Sequence, residues 1–457
     1  MTSCQAADTN AKPRSRSPPE SRSLTSSCKP VLMSSFHWHE PWYSAVCGLS
    51  MDQFDILYLD DSSADMFDIE AHVAELVAKM EAHGAPIPVL SATDSMMIVH
   101  AMAKDALKDD PRFASLTGAS MCATVLCDHK LLTRALVPGC GSIRYKGVRS
   151  TDEVVPAIDG VESDMILKPI AALGSVNVHK VRAGQPSPFY GLRDESAGAL
   201  HKATFLHVDR FGATVPDAKE CIGLLEEYVS PHVKKVSVDG AFCRGVVIPW
   251  CISDNIYRQD SPEVFDALET PSSLCSPAEQ AKIWEVFSEV AHGLHSLSDG
   301  DFDCQFICIE MFVFDSTRVE VMEVNIRISA NQLPVFHRVM DGGCPLLAQV
   351  QMQSPNPTVK APVPNGLFAI CLYRPALETA GPLRQSSKER HGFEATYYRR
   401  IKTLAHVYGY GATPQEARHA AEHLYAELEA EVAQLSKQES MVSGHTAALR
   451  AASASGA

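Results

Sequence analysis

The sequence predicts a multidomain chain of mixed class, an amino-terminal α/β lobe followed by segments that carry antiparallel hairpins. Three observations carry that expectation. Between about residues 30 and 127, short apolar β-branched runs alternate with stretches of helical spacing, the pattern of a doubly wound parallel sheet. Farther on, an Asp239-Gly240 pair sits between two strand-like runs, and residues 306–329 read as a hairpin, both signs of antiparallel pairing. With 457 residues the chain also exceeds what one core organises, so two to four domains are expected.

Composition narrows the function classes. A hydrophobic fraction of 46% with 21% charged residues is ordinary for a globular protein. The formal net charge of −15 argues against a broad nucleic-acid surface, so an anionic ligand would need a local cluster of Lys and Arg. No apolar run is long enough to span a bilayer, and no membrane partner is expected. Fourteen cysteines are scattered in apolar contexts without a C-x-x-C pair. They read as reduced, mostly buried thiols of a cytoplasmic protein. Residues 1–29, rich in Ser, Pro and Arg, are expected to form a disordered tail, with an organelle transit peptide as the lesser alternative.

Taken in order, residues 30–36 and 54–61 read as strands, residues 69–82 as a helix, and PIPVLSA as a third strand with Asp94 capping the helix after it. Ligands of such sheets bind beyond the carboxyl ends of the strands, but no GxGxxG follows the first strand. His37 and His39 could share a face, yet without partner ligands a structural role is expected. Asp128 is expected to cap a helix whose inner face carries Leu131, Leu132 and Ala135. Lys130 then falls in the first turn, where the helix dipole slightly disfavours a cation unless an anionic ligand is present.

A short helix is expected over residues 152–157. The stretch SDMILKPIAALGSVNVHKV then reads as a strand ending in Lys168, a small-residue loop with Gly174 and Ser175, and a second strand. Such a loop can fold its N–H groups over a phosphate; a plain β-hairpin is the rival reading. IGLLEEYVSP, residues 222–231, reads as a strand carrying Glu226 and Glu227. Residues PAEQAKIWEVFSEVAHGLHSL form an amphipathic helix with Ile283, Phe287, Val290 and Leu294 inward. Its His292 and His295 read as surface residues, since no further ligand stands beside them. After Pro355, a Pro-rich linker leads to the strand LFAICLYR, a polar basic stretch, LAHVYGYG, and a helix over residues 413–435 opened by a Thr413/Glu416 capping box. Residues 438–457 are expected to be disordered.

The hairpin of residues 306–329 carries the chemistry. With its turn near Ser316-Thr317, Glu310 and Glu323 lie opposite each other. Like charges so placed are destabilising, and a divalent cation between them would remove the repulsion. Glu323, Asn325 and Arg327 share one face of the strand, while Met322, Val324, Ile326 and Ile328 share the other. Carboxylate and amide oxygens suit a hard cation, and a neighbouring guanidinium suits an anion. The alternative is a surface hairpin with its charges in water.

Together, Lys130, Lys168 with Gly174-Ser175, Glu226-Glu227-Tyr228-Val229, Ser237-Val238-Asp239-Gly240, Glu310 and Glu323-x-Asn325-x-Arg327 resemble the ATP-grasp superfamily. Within it they look most like the carboxylate–amine branch, the amino-acid (dipeptide) ligases. The closing E-x-N-x-R, with a glutamate on the adjacent strand, is the most specific piece. The loop AALGS is poorer in glycine than in many members, and Ile326 stands where many carry proline. The resemblance implies an amino-terminal α/β domain over residues 30–127 and a core over 128–354, with a lid at about 148–215. A carboxy-terminal α+β segment covers 355–437, and ATP is held between two α+β lobes.

The same resemblance implies roles. Lys130 and Lys168 would contact ATP phosphates, with Gly174 and Ser175 in the phosphate loop. Glu226, Glu227, Tyr228 and Val229 would present backbone groups to adenine. Glu310, Glu323 and Asn325 would hold one or two Mg2+ (or Mn2+) ions, and Arg327 would be catalytic, stabilising the transferred phosphoryl group. The expected activity is ADP-forming: MgATP activates a small carboxylate as an acyl phosphate and an amine captures it. Two alternatives stay open, a carboxylase-like enzyme that activates bicarbonate and a protein that binds ATP without turnover. Residues 329–336, the amino-terminal lobe and the carboxy-terminal segment are where substrate selectivity is expected, and a homodimer is an open option.

Overall fold

The computed structural model describes residues 29–35, 51–59, 68–91, 93–140, 143–154, 163–171, 178–181, 207–258, 265–329, 332–354, 356–357, 359–377, 385–390, 393–399 and 404–454. His37 and His39, the amino-terminal tail, and the loop residues Gly174 and Ser175 lie outside them.

Strands β1 (Val31–Ser35), β2 (Asp55–Leu59) and β3 (Val89–Leu90) form the expected parallel sheet, in the order β2-β1-β3. Helix α1 (Ile69–His83) starts where the Asp68 side chain accepts from the Ala71 N–H and stops at Gly84, whose φ of 74° only glycine adopts readily. Helix α2 (Asp94–Leu107) corrects one expectation: Thr93 is its cap, extended and accepting from the Met96 N–H. Asp94 is therefore already helical, and its carboxylate is left for another partner.

Helices α3 (Met121–Asp128) and α4 (Lys130–Leu136) break at His129. His129, not Asp128, caps α4: Nδ1 accepts from the Leu132 N–H at 3.3 Å and Nε2 donates to the Ala218 carbonyl at 3.0 Å. Asp128 instead closes the preceding helix. Leu131 and Leu132 are buried as expected, but Ala135 is exposed and Arg134 is buried in its place.

A four-stranded antiparallel sheet follows, ordered β4 (Tyr145–Val148), β7 (Gly223–Glu227), β5 (Met165–Pro169), β6 (His179–Val181). Of the helix expected at 152–157, the described residues show one short turn at Thr151–Glu153.

Strands β8 (Lys234–Cys243), β9 (Val246–Tyr257) and β10 (Phe265–Thr270) lead to helix α5 (Pro277–Leu297) and the hairpin β11 (Gln305–Val313) and β12 (Val319–Asn325). Asp239-Gly240 is not the β8–β9 turn. The chain reverses at Arg244-Gly245, both at positive φ (51° and 77°), as a type I′ turn requires. Asp239 stays in the strand because its buried carboxylate accepts the Ser329 N–H at 2.7 Å. Gly240 stays because a Cβ there would meet the Phe287 ring at 2.6 Å.

Short elements follow: α6 (Leu333–Val339), β13 (Met340–Asp341), α7 (Pro345–Met352) and β14 (Val363–Pro364). Then come β15 (Phe368–Pro375), β16 (Gln385–Arg390), β17 (Phe393–Arg399), β18 (Leu404–Gly411) and α8 (Pro414–Ala454). β16 and β17 occupy the stretch read as merely polar and basic. α8 runs sixteen residues past Gln438, where disorder was expected. The capping box at Thr413 and Glu416 is present.

The nine-stranded sheet has the order β12-β11-β8-β9-β10-β15-β18-β17-β16, so one sheet crosses the expected boundary at residue 355. One face of its β12-β11-β8 end packs Val238, Ile307, Ile309 and Val324 against Ile283, Phe287, Val290 and Leu294 of α5. α5 is fixed by a Ser276/Glu279 capping box. Among the described residues no helix is long and apolar enough to cross a membrane.

Candidate functional site

The opposite face of β12-β11-β8 is polar. Cross-strand register stacks Asn325, Cys308 and Asp239 in one row, and Glu323, Glu310 and Ser237 in the next. Lys235, two residues before Ser237, shares that face, and its Nζ lies 3.8 Å from the Tyr257 ring centre.

Glu310 and Glu323 do face each other, by a route the sequence did not show. The hairpin centres on Ser316, pairing Val313 with Val319 and Met311 with Val321, which would set Glu310 against Met322. A bulge at Met322 skips that residue and brings Glu323 opposite Glu310. Met322 accordingly leaves the inward row, which Val324 and Ile326 keep, while Ile328, beyond the end of the strand, packs in a separate cluster with Phe306 and Leu346. The strand ends at Asn325, sooner than expected. Burial and then the facing Glu323 push the Glu310 carboxyl up to about 7, against the pull of Arg327, Lys168 and Lys235.

The bulge is held from below. Buried Arg134 donates from Nη1 to the Val321 carbonyl and from Nη2 to the Met322 carbonyl (3.0 Å), while its Nε bonds Glu226. Glu226 also takes Lys168 Nζ at 2.5 Å. Burial would raise the Glu226 carboxyl, but Lys168 and Arg134 hold it at about 2.

Lys130, in the first turn of α4, places Nζ 3.7 Å from Glu323 Oε1, and its N–H bonds the Ile170 carbonyl just past β5. Arg327 donates from Nε and Nη2 to Asp94 at 2.9 and 2.7 Å, and Nη2 lies 3.4 Å from Asn325 Oδ1. Burial works against the charge on Arg327, but Asp94 more than compensates and raises its pKa. Asp239 is fully buried, which pushes its carboxyl up to about 7 despite the Ser329 N–H.

The structure thus gathers Lys130, Glu310, Glu323, Asn325 and Arg327, with Lys168 linked to the bulge through Glu226 and Arg134. It separates the rest of the 226–229 run. Glu227 pairs with Arg144 at the surface (3.0 Å), the Tyr228 ring lies under Lys180 Nζ (4.0 Å), and the Tyr228 N–H bonds the Asp164 carbonyl. Tyr228 and Val229 lie past the end of β7, half-buried. Reasoning from sequence missed Arg134, Lys235 and the true partner of Asp94. Lys235 was within reach, since it precedes Ser237 and Asp239 at strand spacing; Arg134, alone in a helix, left no signal.

Among the described residues no three His, Cys, Asp or Glu side chains gather as a closed metal cage. Two opposed carboxylates and an amide oxygen fit a hard divalent cation that keeps open positions for phosphate oxygens and water. The repulsion that raises Glu310 is what such a cation would relieve.

No protein-family model matches the chain, and no curated protein sequence matches it. Solved structures do match. The L-amino acid ligase of Bacillus licheniformis is 14% identical with a TM-score of 0.58, over 88% of this chain and 98% of that one. The biotin carboxylase domain of the Hydrogenobacter thermophilus 2-oxoglutarate carboxylase, solved with MgADP and bicarbonate, is 13% identical with a TM-score of 0.57, over 84% and 86%. The N5-carboxyaminoimidazole ribonucleotide synthetase of Thermus thermophilus is 11% identical with a TM-score of 0.54, over 86% and 97%. The chain has the ATP-grasp fold, a multidomain α/β and α+β architecture. Its neighbours in that fold include enzymes that form C–N bonds and enzymes that carboxylate.

Proposed function

We propose that the chain is an ADP-forming ligase that uses MgATP to activate a substrate carboxylate as an acyl phosphate and passes the acyl group to an amine. The observation that supports it best is the Glu310–Glu323 pair, brought face to face by a bulge and flanked by Lys130 and Arg327. Glu310, Glu323 and Asn325 hold the cation. When bound, the metal would supply positive charge to offset that of the phosphates. Lys130 and Lys168 hold the phosphates, and Gly174 and Ser175 cover them. Arg327 stabilises the charge that grows on the phosphoryl oxygens. The end of β7 and residues 227–229 receive the adenine, and the lid at about 148–215 closes to keep water from the acyl phosphate. A screen for ADP release against pairs of amino acids and small carboxylates, with mass detection of products, tests the assignment. Absence of ADP in every mixture, with MgATP still bound, would overturn it.

The near-equal similarity to a biotin carboxylase domain favours a second reading, activation of bicarbonate. ADP release that needs bicarbonate and no amine would select it.

A further inference from the structure

Arg327 stands two residues beyond the last ladder residue of β12, so strand pairing does not orient it. Its partners do. Nε and Nη2 are engaged by the two oxygens of Asp94 at 2.9 and 2.7 Å, whereas the contacts to Asn325 Oδ1 and the Ile328 carbonyl are long, 3.4 Å each. One edge of the guanidinium is thus fixed by a fork-to-fork pair, and the Nη1 corner is left with a weak contact. Both ends of the pair are framed. Asp94 occupies the first helical position of α2, where the helix dipole favours a carboxylate, and Thr93 caps that turn. Around Arg327, Gln305 Nε2 donates to the Ile326 carbonyl at 3.0 Å and Asp239 takes the Ser329 N–H. The side chains are 17% and 9% exposed for Arg327 and Asp94. An ion pair withdrawn this far from water contributes little net stability, so its value is geometric.

We infer that Asp94, supplied by the amino-terminal lobe, is the positioning residue that fixes the Arg327 guanidinium for its work on the transferred phosphoryl group. The kinetic part rests on the ligase reading; the orienting contact does not. Asp94 touches no reacting atom. It holds the Nε–Nη2 edge so that the Nη1 corner, touched only weakly by the Ile328 carbonyl, is left for the phosphoryl oxygens, and it makes turnover depend on how the amino-terminal lobe sits against the core.

The test compares wild type with D94N, D94S and D94E, using R327K to assign the Arg327 Nε–H signal in a 15N spectrum. Wild type is expected to show slow guanidinium rotation at Arg327, lost in D94N and D94S and partly kept in D94E. With a substrate pair that wild type turns over, D94N should lower kcat by about 10- to 100-fold, the usual scale for misplacing a catalytic group. KM for MgATP should stay within about twofold, and D94E should recover part of the rate. An unchanged Nε–H signal, an unchanged kcat, or a lower KM for the carboxylate at unchanged kcat would each overturn the inference. If wild type releases no ADP in any mixture, the ligase reading fails, and the Nε–H signal alone then decides whether Asp94 positions Arg327.

Discussion

Arg134 and Glu226 form a buried pair that joins the two sheets of the candidate site. Glu226 belongs to the four-stranded sheet, while the same guanidinium reaches the Val321 and Met322 carbonyls of the nine-stranded one. Those are the carbonyls at the bulge that places Glu323 opposite Glu310. Fold and site are therefore coupled through one side chain, because the carboxylates face each other only while the bulge holds its extra residue.

Removing that side chain should cost more than a surface pair. R134A leaves Glu226 buried with only Lys168, and breaking a buried pair costs about 3–5 kcal/mol. Denaturant unfolding of R134A should show a loss of that order. In the folded fraction, Mg2+-dependent stabilisation by ATP should fall as well, because Glu323 slips out of register.

Glu226 also fixes an acid limit. Its folded carboxyl lies near 2 and its ordinary value is 4.5. A depressed acid contributes stability that is present above the unfolded value and lost as pH falls through the folded one. Wild type should therefore lose stability between about pH 4.5 and 2, and E226Q should start lower and show a shallower slope there. Equal slopes in unfolding titrations would contradict the pairing.

R327A should separate binding from chemistry. Loss of a group that stabilises transition-state charge costs on the order of 10² to 10³ in rate. MgATP affinity measured by calorimetry should change by only a few fold, while ADP release falls by that larger factor. Turnover like wild type would sink the role given to Arg327.

Much of this site was legible because strand spacing is local. Glu323, Asn325 and Arg327 alternate, and Asp315 closes a turn by accepting from the Thr317 and Arg318 N–H groups, so the hairpin was legible, while the bulge that sets the carboxylates opposite each other was not. What could not be read depends on contacts distant in sequence. Asp239-Gly240 carries a turn signature, yet Phe287 above Gly240 and Ser329 on Asp239 keep it in a strand, and Arg244 takes the left-handed turn instead. Asp94 looked like a cap until Thr93 took that place and freed it for Arg327. β16 lacks the apolar alternation that marks a strand, and β17 shows it only briefly, in Phe393, Ala395 and Tyr397, amid basic residues. β17 extends the sheet by pairing with β18, and β16 forms the edge by pairing with β17.

Gly240 gives a direct check on that account. G240A puts a methyl 2.6 Å from Phe287 Cζ and 3.2 Å from the Ile248 carbonyl, so the ring or the backbone must move. Overpacking of this kind costs about 1–3 kcal/mol. If Asp239-Gly240 were a free turn, the same change would be tested at positive φ on an exposed loop and F287A would not rescue it. In the buried strand, F287A/G240A should be less destabilised than the sum of the two single variants.

The opposed glutamates make a prediction with two signs. In the absence of metal, E323Q removes the like charge that helps raise Glu310, so the repulsion across the ladder disappears. Part of that gain is offset by the loss of the 3.7 Å contact between Lys130 and Glu323. Cross-strand charge effects are about 0.2–1 kcal/mol, so the apo variant should unfold at an equal or slightly higher temperature than wild type near neutral pH. With Mg2+ and ATP the order should reverse, because the variant offers one carboxylate where a hard cation needs two. Wild type should gain stability by mass action as ligand is added, and E323Q should gain much less. A variant stabilised by MgATP as fully as wild type would show that the two carboxylates do not share a cation.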